Sequence, residues 1–200
     1  MLPALAALLL LQQPPIVQPG APGQPSKVIS PDQARDLSQV QYVGADIKFM
    51  QGMIGHHSQA IEMVDLLKTR SQSRDMKLLG QRIEISQIDE IKMMQEWLRT
   101  RGQQVPTGKE HHTMPGMLMP GMLTKDEMTQ LANAKGKAFD KLFLEGMIKH
   151  HQGAIQMVKE LFTSPGAAQD SSIFAFASDV EADQSAEIAR MGGMLMELSR

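Results

Sequence analysis

The stretch Asp46-Ile47-Lys48-Phe49-Met50-Gln51-Gly52-Met53-Ile54-Gly55-His56-His57-Ser58-Gln59-Ala60-Ile61-Glu62-Met63-Val64 decides the fold, because its pattern occurs twice. Ninety-four residues later the chain reads Asp140-x-x-Phe143-x-x-Gly146-Met147-Ile148-x-His150-His151-x-x-Ala154-Ile155-x-Met157-Val158. A second block also recurs. Ile83-Glu84-x-x-Gln87-x-x-Glu90-Ile91-x-x-Met94 matches Val180-Glu181-x-x-Gln184-x-x-Glu187-Ile188-x-x-Met191. Between the blocks the second copy is three residues longer, around Ser164-Pro165-Gly166, where a turn absorbs an insertion.

Each block has helical period. At about 100° per residue, with Phe49 at zero, Met53, His56, Ala60, Met63, Val64 and Leu67 fall in a narrow arc. His57, Ile54 and Ile61 widen that arc to about half the circumference, and Lys48, Gln51, Ser58, Gln59, Glu62 and Asp65 take the other half. In the second block Met76, Leu79, Ile91, Met94, Trp97 and Leu98 line up with Ile83, and Gln87 and Glu90 sit inside this apolar stripe. Gln184 and Glu187 sit likewise among Val180, Ile188, Met191, Met194 and Leu195. The spacing predicts four helices, roughly 42–68, 73–101, 137–162 and 171–199, forming two hairpins. Neither hairpin can bury its apolar face alone, so the expected fold is all-α: a four-helix bundle made of two repeated hairpins. A shorter helix is expected from Thr124, where Thr124-x-x-Glu127 has the form of a capping box.

Composition narrows the function classes. One Trp and one Tyr argue against an all-β sandwich or barrel, and a net charge of −2 with no basic run gives no case for a nucleic-acid partner. The absence of cysteine removes disulfides, Cys-based zinc sites and thiol catalysis. Seventeen methionines are the anomaly, and thioethers are soft ligands suited to Cu(I). Residues 1–13 carry an apolar run, Leu2 to Leu11, of signal-peptide rather than membrane-span length, and are read as a signal peptide or N-terminal anchor. Residues 14–38, rich in Pro, Gly and Gln, are expected to be a disordered tether. Residues 39–200 form the bundle domain: repeat one over 42–102, a Met/His loop over 103–123 and repeat two over 124–200.

All six histidines come as adjacent pairs, His56-His57, His111-His112 and His150-His151. Imidazole is the commonest side-chain metal ligand. Buried Glu90 and Glu187 need a partner or a cation, because an unpaired carboxylate in a core is costly. Against a metal site stands a hydrogen-bonded network, His to Gln87 and Glu90, that only specifies packing. Neighbouring helical positions diverge by about 100°. His56 and His57 are therefore not expected to chelate one ion together, nor His150 and His151. Met53 and Met147 lie one turn before His57 and His151 and join them as candidate ligands, whereas Met63 and Met157 read as core. The segment 111–122 gathers His111, His112, Met114, Met117, Met119 and Met122 among Pro and Gly, a pliable array fit to wrap Cu(I) or Ag(I). Its alternative is a hydrophobic flap.

The motifs Phe143-x-x-x-Met147-Ile148-x-His150-His151-x-x-Ala154 and Gln184-x-x-Glu187, with Met114-Pro115-Gly116-Met117 before Thr124-x-x-Glu127-Met128, resemble the CopM-like family, also catalogued as "domain of unknown function 305". The resemblance covers about residues 42–198. It implies a ferritin-like four-helix bundle and copper binding outside the cytoplasm, in the periplasm or beyond. The expected function is sequestration or carriage of copper, with a metal ion as partner, no nucleic acid, and a membrane met only through the N-terminus. Two alternatives stand beside it: a metal-free structural bundle, and a redox metalloenzyme of ferritin-like type. Against the enzyme, di-iron bundles supply Glu-x-x-His on one helix, and no Glu here has His three residues on. Nothing resembles a Ser-His-Asp set or a phosphate loop, so no enzymatic activity is expected.

Overall fold

The structure is a computed structural model that describes residues 14–18, 25–35, 42–108 and 118–199. It divides into two units, residues 1–41 and 42–200. In the first, strands β1 (Ile16–Gln18) and β2 (Lys27–Ile29) pair antiparallel, Val17 opposite Val28, ahead of the five-residue helix α1 (Pro31–Arg35). These short elements are what the described residues show of the stretch 14–38 expected as a disordered Pro/Gly/Gln-rich tether. Ile16-Val17 and Val28-Ile29 are β-branched, which favours the paired strands. Ser30 and Gln33 cap α1 reciprocally, Ser30 N–H to Gln33 Oε1 at 2.9 Å and Gln33 N–H to Ser30 Oγ at 3.1 Å. The candidate signal segment 1–13 lies outside the described residues. Among those described, no helix is long and apolar enough to cross a membrane.

The second unit contains α2 (Gly44–Arg70), α3 (Arg74–Thr100), α4 (Lys125–Asn133), α5 (Gly136–Thr163) and α6 (Ser171–Leu198). The four long helices match the periodicity to within a few residues at each end. Local chemistry sets those ends. Ser73 Oγ accepts from Met76 N–H to start α3, and Asp170 accepts from Ser172 and Ile173 N–H to start α6. Thr124 and Glu127 form the expected capping box of α4. The inserted turn carries Gly166 at φ +76°, a conformation that suits glycine.

Helix α3 packs along α2, α6 along α5, and α2 meets α5. The core splits in two. One apolar cluster joins Phe49, Met53 and Ile54 of α2 to Met94 of α3, Ala154 and Val158 of α5, and Phe176 and Val180 of α6. The other joins Ala60, Met63 and Val64 to Ile83, Phe143, Met147 and Met191. Along every long helix the switch between clusters falls at the polar positions: His56 and His57, Gln87 and Glu90, His150 and His151, Gln184 and Glu187. The repeat thus folds about an approximate two-fold axis, with a polar layer at its middle.

One contact ties the hairpins together and is not repeated. Asp46, fully buried, accepts from Val43 N–H at 2.7 Å and from Ala168 N–H at 2.8 Å in the α5–α6 turn. Its repeat equivalent Asp140 is also buried, yet its Oδ1 has no partner among the described residues. Asp46→Ala is expected to cost about 2–3 kcal/mol, because two N–H groups, that of Ala168 buried, lose a charged acceptor. Asp140→Asn should cost much less or be neutral. Urea unfolding of both variants checks the difference, and equal losses would sink the asymmetry.

Candidate metal centre

The polar layer is built from four imidazoles on the central helices, faced by two carboxylates and two amides on the outer ones. His57 and His151 are wholly buried, and each gives Nε2 to a glutamate: His57 to Glu90 Oε2 in a very short contact, His151 to Glu187 Oε2 at 2.6 Å. The carboxylates keep a small outlet to water, with side chains 20% and 22% exposed. Glu90 opens onto a groove between α3 and α6 lined also by Ser86, Met93, Phe176, Asp179 and Asp183. Ser86 Oγ donates to Glu90 Oε1 at 2.8 Å. Burial is the largest influence on the Glu90 carboxyl and would raise its pKa. The hydrogen bond and charge of His57, with Ser86 and His151, outweigh it and hold the group below its ordinary 4.5.

His56 and His150 do something different. Their rings meet across the α2–α5 crossing, tilted by 38° with centroids 3.8 Å apart. His150 Nε2–H donates to the His56 carbonyl at 2.9 Å, and His56 Nε2–H donates to the Pro120 carbonyl at 3.0 Å. Burial pushes the His150 imidazole well below its ordinary 6.5, and repulsion from His56, His151 and His57 pushes it further, so it is neutral at physiological pH. Within each adjacent pair the ring centroids stand 6.4 Å (His56, His57) and 6.2 Å (His150, His151) apart, as helical divergence requires.

The layer is not a finished cation site. The Nδ1 atoms of His57, His150 and His151, and the Oε1 atoms of Gln87 and Gln184, have no partner among the described residues. An amide oxygen, and the Nδ1 of an imidazole that donates through Nε2–H, each keep a lone pair to spare. Nevertheless, among the described residues no three of His, Asp and Glu converge on one position. Met53 and Met147 are fully buried, one in each apolar cluster.

His111, His112, Met114 and Met117 lie outside the described residues. The end of their segment does not: Met122 is buried, and Met119 packs against the first cluster. Met119 Sδ comes within 3.3 Å of where a Cβ on Gly52 would stand, with the Met157 methyl at 3.4 Å. Sequence reasoning missed two residues at this crossing. Gln59, placed on the solvent half of α2 by periodicity, is 2% exposed, and Gly153 lies directly under Pro120 and Gly121. Leu123 covers Gln59, which corrects the expectation for that residue, while Lys48 and Asp65 of the same half stay exposed. A signal was available, since Gln59 and Gly153 are repeat equivalents that differ inside a well-matched block.

Comparison with known proteins places this architecture. No curated protein sequence matches the chain significantly. The chain is similar in structure to a DUF305 protein of Streptomyces coelicolor, a candidate secreted protein, at 29% identity and TM-score 0.68, over 78% of this chain and 94% of that one. It is similar to a DUF305 fragment from Deinococcus radiodurans at 28% identity and TM-score 0.67, over 78% and 98%. CopM in its Cu(II)-bound form matches at 29% identity and TM-score 0.63, over 76% and 96%, and further CopM structures hold Cu(I) and silver. The family described as "Domain of unknown function (DUF305)" matches residues 46–195, most of the folded unit, and the chain belongs to that family.

Proposed function

We propose that the protein is an extracytoplasmic metal-binding protein that takes up copper, as Cu(I), Cu(II) or both, and sequesters or carries it without catalysing a reaction. The observation that carries this reading is the likeness, over nearly the whole folded unit, to CopM structures bound to Cu(II), Cu(I) and silver. Cu(I) and Ag(I) both favour thioether and imidazole donors, and this chain concentrates them in one segment: His111, His112, Met114, Met117, Met119 and Met122. The candidate secreted relative from Streptomyces coelicolor supports a place outside the cytoplasm.

The layer supports an architectural role for His56, His57, His150 and His151, with capture left to the Met/His segment. Each Nε2 is already in a hydrogen bond inside the layer or to the chain that covers it. Pairing of the imidazoles with carboxylates and carbonyls also favours binding over redox catalysis, which needs a cation open to substrate.

The test is titration of the purified chain with Cu(I) under reducing conditions, and with Cu(II) separately, with elemental analysis of the product. Cu(I) is expected to bind more tightly than about 1 μM. Replacing His111, His112, Met114 and Met117 with alanine should lower that affinity at least about tenfold while leaving the helical signal intact. The copper reading fails if neither oxidation state binds the unaltered chain more tightly than micromolar.

A further inference from the structure

One segment, residues 119–123, crosses the pair of central helices at their two-fold, and a single segment cannot meet the same residue on both sides. The repeat breaks its own symmetry there. In copy one, buried Gln59 reads the backbone of Leu123 completely, Nε2–H to the Leu123 carbonyl at 2.9 Å and Leu123 N–H to Oε1 at 2.7 Å. In copy two the equivalent residue is Gly153, where a Cβ would stand 1.9 Å from the Pro120 oxygen and 2.6 Å from Gly121 Cα. Any side chain there would lift the segment. Gly121 itself has φ +74°, and its own Cβ would meet the Lys149 carbonyl at 2.4 Å. Between these anchors His56 Nε2–H holds the Pro120 carbonyl, whereas its equivalent His150 turns to the His56 carbonyl.

What the crossing presents also differs on its two sides. Over Gly146 it lays Leu123 beside Met63, and over the equivalent Gly52 it lays Met119 beside Met157. The first is hydrocarbon. The second brings a thioether sulfur and the methyl of another methionine over the same glycine, at the end of the segment richest in soft donors.

We infer that His56, Gln59 and Gly153 are positioning residues: they clamp residues 119–123 as a rigid strap and so hold the Met119 thioether in place beside Met157 as a preset donor for a soft cation. This rests on the metal-binding reading above. A ligand atom fixed before the ion arrives has little ordering left to lose, and binding is tighter by that amount. His56 thus acts through the strap and not as a ligand.

The experiment measures Ag(I) affinity, by competition with a chromophoric chelator, for the full chain and for Gln59→Leu, Met119→Leu and the double variant, with a thermal melt of each. Gln59→Leu removes both bonds at similar volume and should weaken silver binding about tenfold. Met119→Leu should weaken it at least as much. In the double variant the Gln59 change should add nothing further, because its effect runs through Met119. A merely structural strap would lower the melting temperature and leave silver affinity unmoved, or would add its loss fully to that of Met119→Leu; either result overturns the inference. Gly153→Ala releases the same strap from the other helix and carries the same expectation if Gln59→Leu folds poorly. Absence of silver binding by the unaltered chain instead overturns the metal-binding reading itself.

Discussion

Acidifying the metal-free protein below about pH 6.5 is expected to lower its stability progressively, and His150→Gln should abolish most of that loss. His150 is buried beside three other imidazoles, and its pKa lies well below 6.5. Below 6.5 the unfolded chain takes up a proton at this residue that the folded chain refuses. The unfolded state then binds more protons, so stability rises with pH and falls as pH drops, by up to about 1.4 kcal/mol per unit. The loss stops only at the folded pKa. Glu90 behaves differently. Its folded pKa is below 4.5, so its contribution is fully present above 4.5 and is lost only as pH falls through that lower folded value. The window between therefore belongs to the imidazole. Gln at 150 still carries a donor for the His56 carbonyl but cannot become charged. Urea midpoints at half-unit pH steps measure the slope, and a variant that follows the parent curve through this window would discredit His150 as its source.

Most of the fold was legible because the repeat states each helix twice. The expected helices 42–68, 73–101, 137–162 and 171–199 differ little from α2, α3, α5 and α6. The layer was legible for a similar reason: Gln87 and Gln184 are polar at positions that must be buried, and both are. The pairing of His57 with Glu90, and not with Gln87, was beyond periodicity, which gives a face but no rotamer. Gln59 was invisible for a sharper reason. Helical arithmetic assumes that the side opposite the core meets water. Here Gln59 on that side meets Leu123, about sixty residues away at the end of an aperiodic Pro/Gly segment. The expected donors at 111, 112, 114 and 117 fall outside the described residues, so what the structure adds to the candidate site is its fixed end.

Removing one member of a His–Glu pair is expected to cost more than removing both. Glu90→Leu strands the Nε2–H of a wholly buried His57 and should cost about 3 kcal/mol. His57→Leu leaves a carboxylate that still has Ser86 and the groove between α3 and α6, so its cost should be nearer 1–2 kcal/mol. The double variant places two apolar side chains between two apolar clusters and should recover most of the loss, since a buried hydrogen-bonded polar pair gains little over hydrocarbon of similar size. In the second copy His151 and Glu187 should show the same non-additivity. There the residue equivalent to Ser86 is Asp183, which cannot donate when ionised, so His151→Leu should cost more than His57→Leu. Unfolding cycles on both pairs measure these energies, and copper titration of the two double variants divides architecture from coordination. If the layer only orients the helices, Cu(I) affinity survives both replacements to within about threefold. If His57 and His151 hold the ion, affinity falls with each pair even where stability is restored, and capture moves from the strap to the core.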